Sequence, residues 1–223
     1  MCSQVADPTM CIIGQGKSAH NLNGNRNWPP TPQFAQAAAF AHIVGLNGVF
    51  PNLDDLPMGH MTLAGCNPAT LGPCVWTEPQ QRSVFTLYAM FRSPIMFSGD
   101  MPTDDATLKI VTNTEVLAIQ ESSSGGHELS NVLGPNCTHA IAEYQCNEVV
   151  WAADDGAGGH YLAVFWTGGG NVTASVPLSK VHAGGAKVRD LWKQRDLPPL
   201  SAGGSLRVDL QGGDVGLFHL TAE

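Results

Sequence analysis

Two adjacent carboxylates are the first residues in this sequence that could do chemistry. Asp54 and Asp55 follow a short apolar run and a Pro-Asn pair, a pattern typical of the end of a strand. In an extended segment consecutive side chains point to opposite sides, so only one of the two is expected to face a shared site. Asp100, which follows the apolar residues 95–97, is the other carboxylate expected at such a strand end. An Asp at this position can also cap a turn, and that interpretation stays open.

Other patterns that could bind a ligand are weak. Residues 14–18 (GQGKS) imitate the end of a phosphate-binding loop, but Cys11 stands where the first glycine of that motif would be. The residues after Ser18 favour a loop, whereas the motif requires a helix. The eight histidines show neither a helical pairing with a glutamate nor a cysteine partner at metal spacing. We therefore expect no metal and no cofactor.

The cysteines and two sequons indicate an oxidising compartment. None of the six cysteines has C-x-x-C spacing, and they fall into three close pairs that predict local disulfides. The pairs are Cys2 with Cys11, Cys66 with Cys74, and Cys137 with Cys146. Asn136 and Asn171 each begin an acceptor sequon for N-glycosylation, which belongs to the secretory route. The alternative is that the sequons are chance matches and the thiols are free.

The composition excludes several kinds of partner. The 223 residues include 19 acidic and 11 basic side chains, a formal charge of −8, without a cluster of Lys or Arg, so nucleic acid is not an expected partner. No apolar run reaches the roughly eighteen residues of a membrane span. Residues 1–8 have neither the basic start nor the apolar stretch of a signal peptide. The sequence indicates no particular oligomeric state.

The first half of the chain alternates helices and strands. Apolar residues recur at helical spacing in three segments, and the apolar runs 48–50 and 95–97 are strand candidates, the second of them buried. The signals of the helices are Thr31 with Pro32 for the first, Thr77 with Gln80 for the second, which should end before Pro94, and Thr103 for the third. This order predicts parallel strands.

The second half of the chain changes character after a Ser/Gly run. Short segments rich in β-branched and aromatic residues alternate with Gly-rich turns, which predicts an antiparallel β-sandwich. The predicted strands include 149–151, 161–166, 172–176, 187–192, 206–210 and 215–218. The fold class is therefore α/β plus all-β, with an α/β part in residues 1–122 and a β-sandwich in residues 123–223.

Four segments resemble one family in the same order along the chain. Residues 50–59 (FPNLDDLPMG) resemble the W-x-D-x-D-M-L-x-x-G segment on the seventh barrel strand of clan D α-galactosidases. Residues 78–100 are similar to the seventh helix and eighth strand of that family, and residues 108–119 (LKIVTNTEVLAI) to its final helix and the segment after it. Residues 188–192 (VRDLW) resemble a phrase of its C-terminal β-domain.

The resemblance implies a retaining glycoside hydrolase built from a (β/α)8 TIM barrel and an antiparallel β-sandwich. It implies that Asp54 holds hydroxyls of an α-galactoside, and it puts Asp55 where the family usually has a methionine that also touches the sugar. Retention requires two carboxyl groups about 5.5 Å apart. No segment before residue 28 resembles the family's K-x-D nucleophile strand, and residues 8–53 contain no Asp or Glu, with Asn23 near the expected acid/base position. We therefore expect no catalytic residue in this chain.

Two interpretations follow from the resemblance. In the first, the natural protein hydrolyses terminal α-galactosides, is secreted or lysosomal/vacuolar, and this chain is its truncated C-terminal portion. In the second, the chain is a non-catalytic carbohydrate-binding relative with a degenerate site. The sequence upstream of Met1 discriminates between them. Trp151, Trp166 and Trp192 could provide stacking surfaces for sugar rings, although the favoured interpretation is that they fill the core of the sandwich and its seam against the barrel.

Overall fold

The structure, a computed structural model, describes residues 31–59, 76–129 and 146–223. Four helices come first and eight strands follow, so sheet predominates. The helices are α1 (Thr31–Phe40), α2 (Glu78–Phe91), α3 (Asp105–Val111) and α4 (Thr114–Ser122). The strands are β1 (Ser124–Glu128), β2 (Glu148–Asp154), β3 (His160–Trp166), β4 (Val172–Pro177), β5 (Ala186–Asp190), β6 (Arg195–Leu200), β7 (Ser205–Leu210) and β8 (Val215–Ala222). Three short 3₁₀ helices cover Ala41–Ile43, Leu46–Gly48 and Leu178–Lys180.

Helix α2 begins and ends where its sequence signals predict. The backbone N–H of Thr77 donates to Oε1 of Gln80 over 2.9 Å, as a capping box requires. The helix ends at Phe91, and Arg92 closes it in a left-handed conformation with φ 55°. Pro94 therefore lies outside the helix, as expected from its lack of a backbone donor.

Helix α3 begins one residue later than predicted. Asp104 takes the N-cap position that the sequence suggested for Thr103, because its carboxylate accepts a hydrogen bond from the backbone N–H of Thr107 over 2.9 Å. Asp is as good an N-cap as Thr and supplies a negative charge beside the helix dipole. The predicted helix is confirmed, but the residue predicted to begin it was wrong.

Of the two strand candidates of the first half, only 95–97 pairs, and its parallel partner is Leu56 and not the run 48–50. Leu56 and Phe97 form a parallel bridge, in which the N–H of Leu56 donates to Met96 O over 2.8 Å and the N–H of Ser98 donates to Leu56 O over 3.1 Å. The segment 95–97 is less buried than predicted, since Met96 is 42% exposed. The run 48–50 is no strand, because the chain turns at Asn47 with φ 52°.

The second half forms two antiparallel sheets. One has six strands in the order β1-β2-β3-β8-β5-β6, and the other pairs β4 with β7. Each of the six predicted segments has a strand, while β1 and β6 had no sequence signal. Both lie at sheet edges, where the Gly pair of β1 and the Pro pair of β6 are tolerated because the outer side of an edge strand needs no ladder partner.

The six-stranded sheet separates two hydrophobic clusters. Alternate side chains of its strands point to opposite faces, so Trp151 and Phe165 pack against the helices while Val150 and Val164 pack against β4 and β7. The edge-to-face contact of Trp151 with Phe91, at 6.3 Å between ring centroids, fixes α2 on the sheet. Trp151 is fully buried, which confirms the core interpretation for that tryptophan.

Candidate functional site

Asp54 adopts a backbone conformation that non-glycine residues rarely take. Its φ is 90°, in the region that costs on the order of 1–3 kcal/mol for a residue with a Cβ atom. Two local hydrogen bonds hold this turn: the N–H of Asp54 donates to Oδ1 of Asn52, and the N–H of Asp55 donates to Oδ1 of Asp54, both over 2.9 Å. Strain that a structure maintains in this way is characteristic of functional positions.

Buried hydrogen bonds from α2 and its end fix the residue before Asp54. The backbone N–H of Leu53 donates to Oγ of Ser93 over 2.9 Å, and the hydroxyl of Tyr88 donates to Leu53 O over 2.7 Å. Leu53 and Leu56, on either side of the two carboxylates, are 1% and 0% exposed. The segment is therefore anchored at both ends, with the half-buried Asp54 and Asp55 between the anchors.

The expectation that the two carboxylates point to opposite sides was wrong. It assumed an extended backbone, whereas φ 90° at Asp54 turns the chain between them. The side chains of Asp54 and Asp55 instead interact with each other. Burial raises the pKa of Asp54; the backbone N–H of Asp55 opposes this shift, while the charge and side-chain hydrogen bond of Asp55 add to it.

The charges of Asp54 and Asp55 also affect the pKa of Tyr88. Burial raises the pKa of its phenol, and the nearby charges of Asp54 and Asp55 raise it further. Tyr88 therefore remains a hydrogen-bond donor to Leu53 O across the ordinary pH range. Tyr88 and Ser93 are positioning residues that the sequence analysis missed, because they lie 35 and 40 residues from Leu53 in sequence. Asn52 is a local positioning residue, which the sequence analysis noted only as part of a Pro-Asn turn signal.

Two glycines allow the chain to pass close to this segment. A Cβ atom on Gly99 would clash with the carbonyl oxygen of Met58, and one on Gly59, whose φ is 71°, would clash with Oγ1 of Thr103. Asp100 follows Gly99, is half-buried, and lies on the segment that bridges Leu56. The parallel bridge thus brings the predicted carboxylates onto adjacent segments. Asp54 and Asp55 can accept hydrogen bonds from hydroxyl groups.

The predicted modification and disulfide residues lie mostly outside the described residues. That is the case for Asn136 and for Cys2, Cys11, Cys66, Cys74 and Cys137. Cys146 is 3% exposed and disulfide-bonded, while its predicted pairing with Cys137 stays a prediction. Asn171 is exposed just before β4, and the hydroxyl of its sequon partner Thr173 donates to Oδ1 of Asp209 over 2.5 Å.

The residues that the structure describes show neither a metal-binding cluster nor a membrane-spanning helix. No group of three or more His, Cys, Asp or Glu side chains there is arranged to hold a metal ion. None of the helices in these three ranges has the length and apolar character to cross a bilayer.

Comparison with solved structures defines the class of the fold. The chain is similar in fold to a part of the GH27 glycoside hydrolases. A variant of the GH27 β-L-arabinopyranosidase of Geobacillus stearothermophilus, in complex with arabinose, aligns with 86% of this chain and 42% of its own length, at 28% identity and a TM-score of 0.72. α-Galactosidase I of Mortierella vinacea aligns over 84% of this chain and 43% of its own, at 17% identity and a TM-score of 0.63. The Saccharomyces cerevisiae α-galactosidase with raffinose covers 86% and 51%, at 14% identity and a TM-score of 0.65.

The chain is thus similar to the α-galactosidase-like glycoside hydrolases of clan D, as its motifs indicated. It spans about two fifths to one half of the length of these solved chains. No protein-family model matches it, and no curated protein matches it either.

Proposed function

We propose that this chain is part of a retaining glycoside hydrolase of the α-galactosidase type and that its Asp54 segment binds a hydroxyl-bearing face of a terminal α-galactoside. The observation that carries this proposal is the strained backbone of Asp54, held by hydrogen bonds on both sides within the segment that resembles the family's W-x-D-x-D motif. In the same proposal, the helical part belongs to a (β/α)8 barrel and the two antiparallel sheets form the family's β-sandwich, with the division near residue 122.

Asp54 is assigned to binding and not to bond cleavage. Retaining hydrolysis needs one carboxylate that attacks the anomeric carbon and a second carboxyl group that protonates the leaving oxygen. The sequence has no K-x-D match before residue 28 and no acid in residues 8–53. We therefore propose that residues 1–223 alone bind sugar without cleaving it.

The binding role can be tested with the full chain and methyl α-D-galactopyranoside. Asp54→Ala removes the acceptor and should weaken binding about fivefold or more, the effect of losing about 1 kcal/mol of hydrogen bonding. Glu121→Gln, which removes an exposed carboxylate from α4, is the control and should bind as the parent chain does. Equal binding by Asp54→Ala and the control would refute the assignment.

Hydrolysis is tested separately with a chromogenic α-galactoside and protein free of host enzyme. We expect no turnover by residues 1–223. Turnover that disappears in Asp54→Ala would contradict the proposed division of roles.

The alternative function is that of a non-catalytic carbohydrate-binding relative. The acid-free residues 8–53 favour it, since an amide such as Asn23 cannot protonate a leaving group. Genomic or transcript sequence upstream of Met1 separates the two proposals. A continuous frame bearing a signal peptide and a K-x-D strand supports the hydrolase, whereas a stop codon directly before Met1 supports the binding relative.

We also propose that the parent protein is secreted or lysosomal/vacuolar and carries a glycan on Asn171. The exposure of Asn171 and the oxidised state of Cys146 support this compartment. Secretion from a eukaryotic host followed by peptide mass spectrometry should find the glycan on Asn171 and none in Asn171→Gln at that site. A wholly unmodified Asn171 peptide would refute the proposed modification.

A further inference from the structure

A polar cleft lies at the seam between the helices and the six-stranded sheet. Its walls come from α2, α3 and the turn between β5 and β6, and its volume is about 620 Å³. This falls within the range of roughly 300–1,000 Å³ that is usual for small-molecule sites. We call it the seam cleft and define it by Glu78, Arg82, Asp105, Lys109, Trp192 and Gln194. None of these residues belongs to the Asp54 segment.

The indole of Trp192 is held in place in the wall of the seam cleft. Its Nε1–H donates to Oγ1 of Thr86 over 3.0 Å, and its ring packs against Phe85 with 6.4 Å between centroids. The turn that carries it is fixed as well, because Nδ2 of Asn113 donates to Leu191 O over 3.1 Å. An aromatic surface held in this way loses little conformational entropy when a ligand stacks on it.

Uncommitted polar groups surround this aromatic surface. Within the described ranges, the side chains of Asp105, Lys109 and Gln194 make no hydrogen bond or ion pair, whereas Arg82 is engaged with Glu78 over 2.7 Å. A carboxylate, an ammonium group and an amide therefore offer acceptors and donors in the walls of the cleft. Two acidic and two basic side chains line the cleft, so its charges balance.

We propose that the seam cleft is an accessory binding site for a neutral saccharide. A pyranose ring combines an apolar face, which suits the indole of Trp192, with hydroxyl groups that both donate and accept hydrogen bonds. Asp105, Lys109 and Gln194 supply the complementary groups, and the balanced charge of the walls gives an ionic ligand no advantage. The proposal rests on the cleft and is independent of the function proposed for Asp54.

The test is a titration of the ¹⁵N-labelled full chain with methyl α-D-galactopyranoside and, separately, raffinose, followed by NMR. Saturable shifts are expected at the indole N–H of Trp192 and at the amides of Lys109 and Gln194. Gln194→Gly, which suits the φ of 49° at that residue, should raise the Kd at these signals about fivefold. Lys109→Ala should do the same.

Two controls separate the seam cleft from other effects. Lys187→Ala removes an exposed lysine of β5 outside the cleft and should leave the Kd unchanged. Asp54→Asn should leave the shifts at Trp192 unchanged, even where it abolishes binding at its own segment. Three results would each overturn the proposal. The first is shifts confined to the Asp54 segment, and the second is the absence of a saturable shift at up to about 0.1 M sugar. The third is equal Kd values for Gln194→Gly, Lys109→Ala and the parent chain.

Discussion

The strain at Asp54 can be measured by comparing two substitutions at that position. Asp54→Gly and Asp54→Ala both remove the carboxylate and its hydrogen bond to the N–H of Asp55, so they differ only by one Cβ atom. At φ 90° that atom costs on the order of 1–3 kcal/mol. The greater freedom of glycine in the unfolded chain costs about 0.5–1 kcal/mol in the other direction. We therefore expect Asp54→Gly to be more stable than Asp54→Ala by about 1 kcal/mol.

Urea unfolding followed by circular dichroism measures this difference as a shift in the midpoint at constant m-value. Ala118→Gly, at an exposed position in the middle of α4, compared with the parent Ala118, provides the control. There the order should reverse, because glycine is about 1 kcal/mol less favourable than alanine in a helix. If Asp54→Ala is as stable as Asp54→Gly or more so, Asp54 carries no backbone strain and the main support for its functional assignment is lost.

Three further predictions follow from buried groups. Burial alone would raise the pKa of Asp155, but hydrogen bonds from His219 and from backbone N–H groups outweigh it and hold the pKa below its ordinary value. The stability that the lowered pKa contributes is present above the unfolded pKa of about 3.9 and is lost as the pH falls through the lower folded pKa. The loss of stability caused by Asp155→Asn, measured by thermal unfolding, should therefore become smaller below pH 4. Ser93→Ala leaves the buried N–H of Leu53 without its acceptor and should cost about 1–3 kcal/mol in urea unfolding. Tyr88→Phe removes the donor to Leu53 O and should cost about 1 kcal/mol, and no loss in either variant would contradict the anchoring of Leu53.

Sequence patterns predicted the elements whose signals are local. The capping box of Thr77 and Gln80 marks the start of α2, and the β-branched and aromatic runs mark the central strands. Strands β1 and β6 were not predicted, because they form through pairing with a neighbouring strand and their own composition does not indicate a strand. Composition describes an edge strand poorly, since only one of its sides is paired.

The candidate site was predictable in identity but not in geometry. The motif resemblance singled out Asp54, yet its φ of 90° depends on Asn52, Ser93 and Tyr88. Ser93 and Tyr88 act on Leu53 from 40 and 35 residues away in sequence. The local sequence predicts an extended backbone at this point. The contacts of Ser93 and Tyr88 form only when α2 packs beside the segment, so the local sequence does not contain them.

The antiparallel half positions the site through α2. Oγ of the buried Ser83 donates to Gly213 O over 2.7 Å, and Arg82 pairs with Asp214 over 2.9 Å, so the turn before β8 holds the first part of the helix. The indole of Trp192 holds its middle through Thr86. Tyr88 and Ser93, at the last part of α2 and just beyond it, are the groups that anchor Leu53 beside Asp54. Because these contacts follow one another along one helix, loosening the β8 turn should weaken the anchoring of Leu53 beside Asp54.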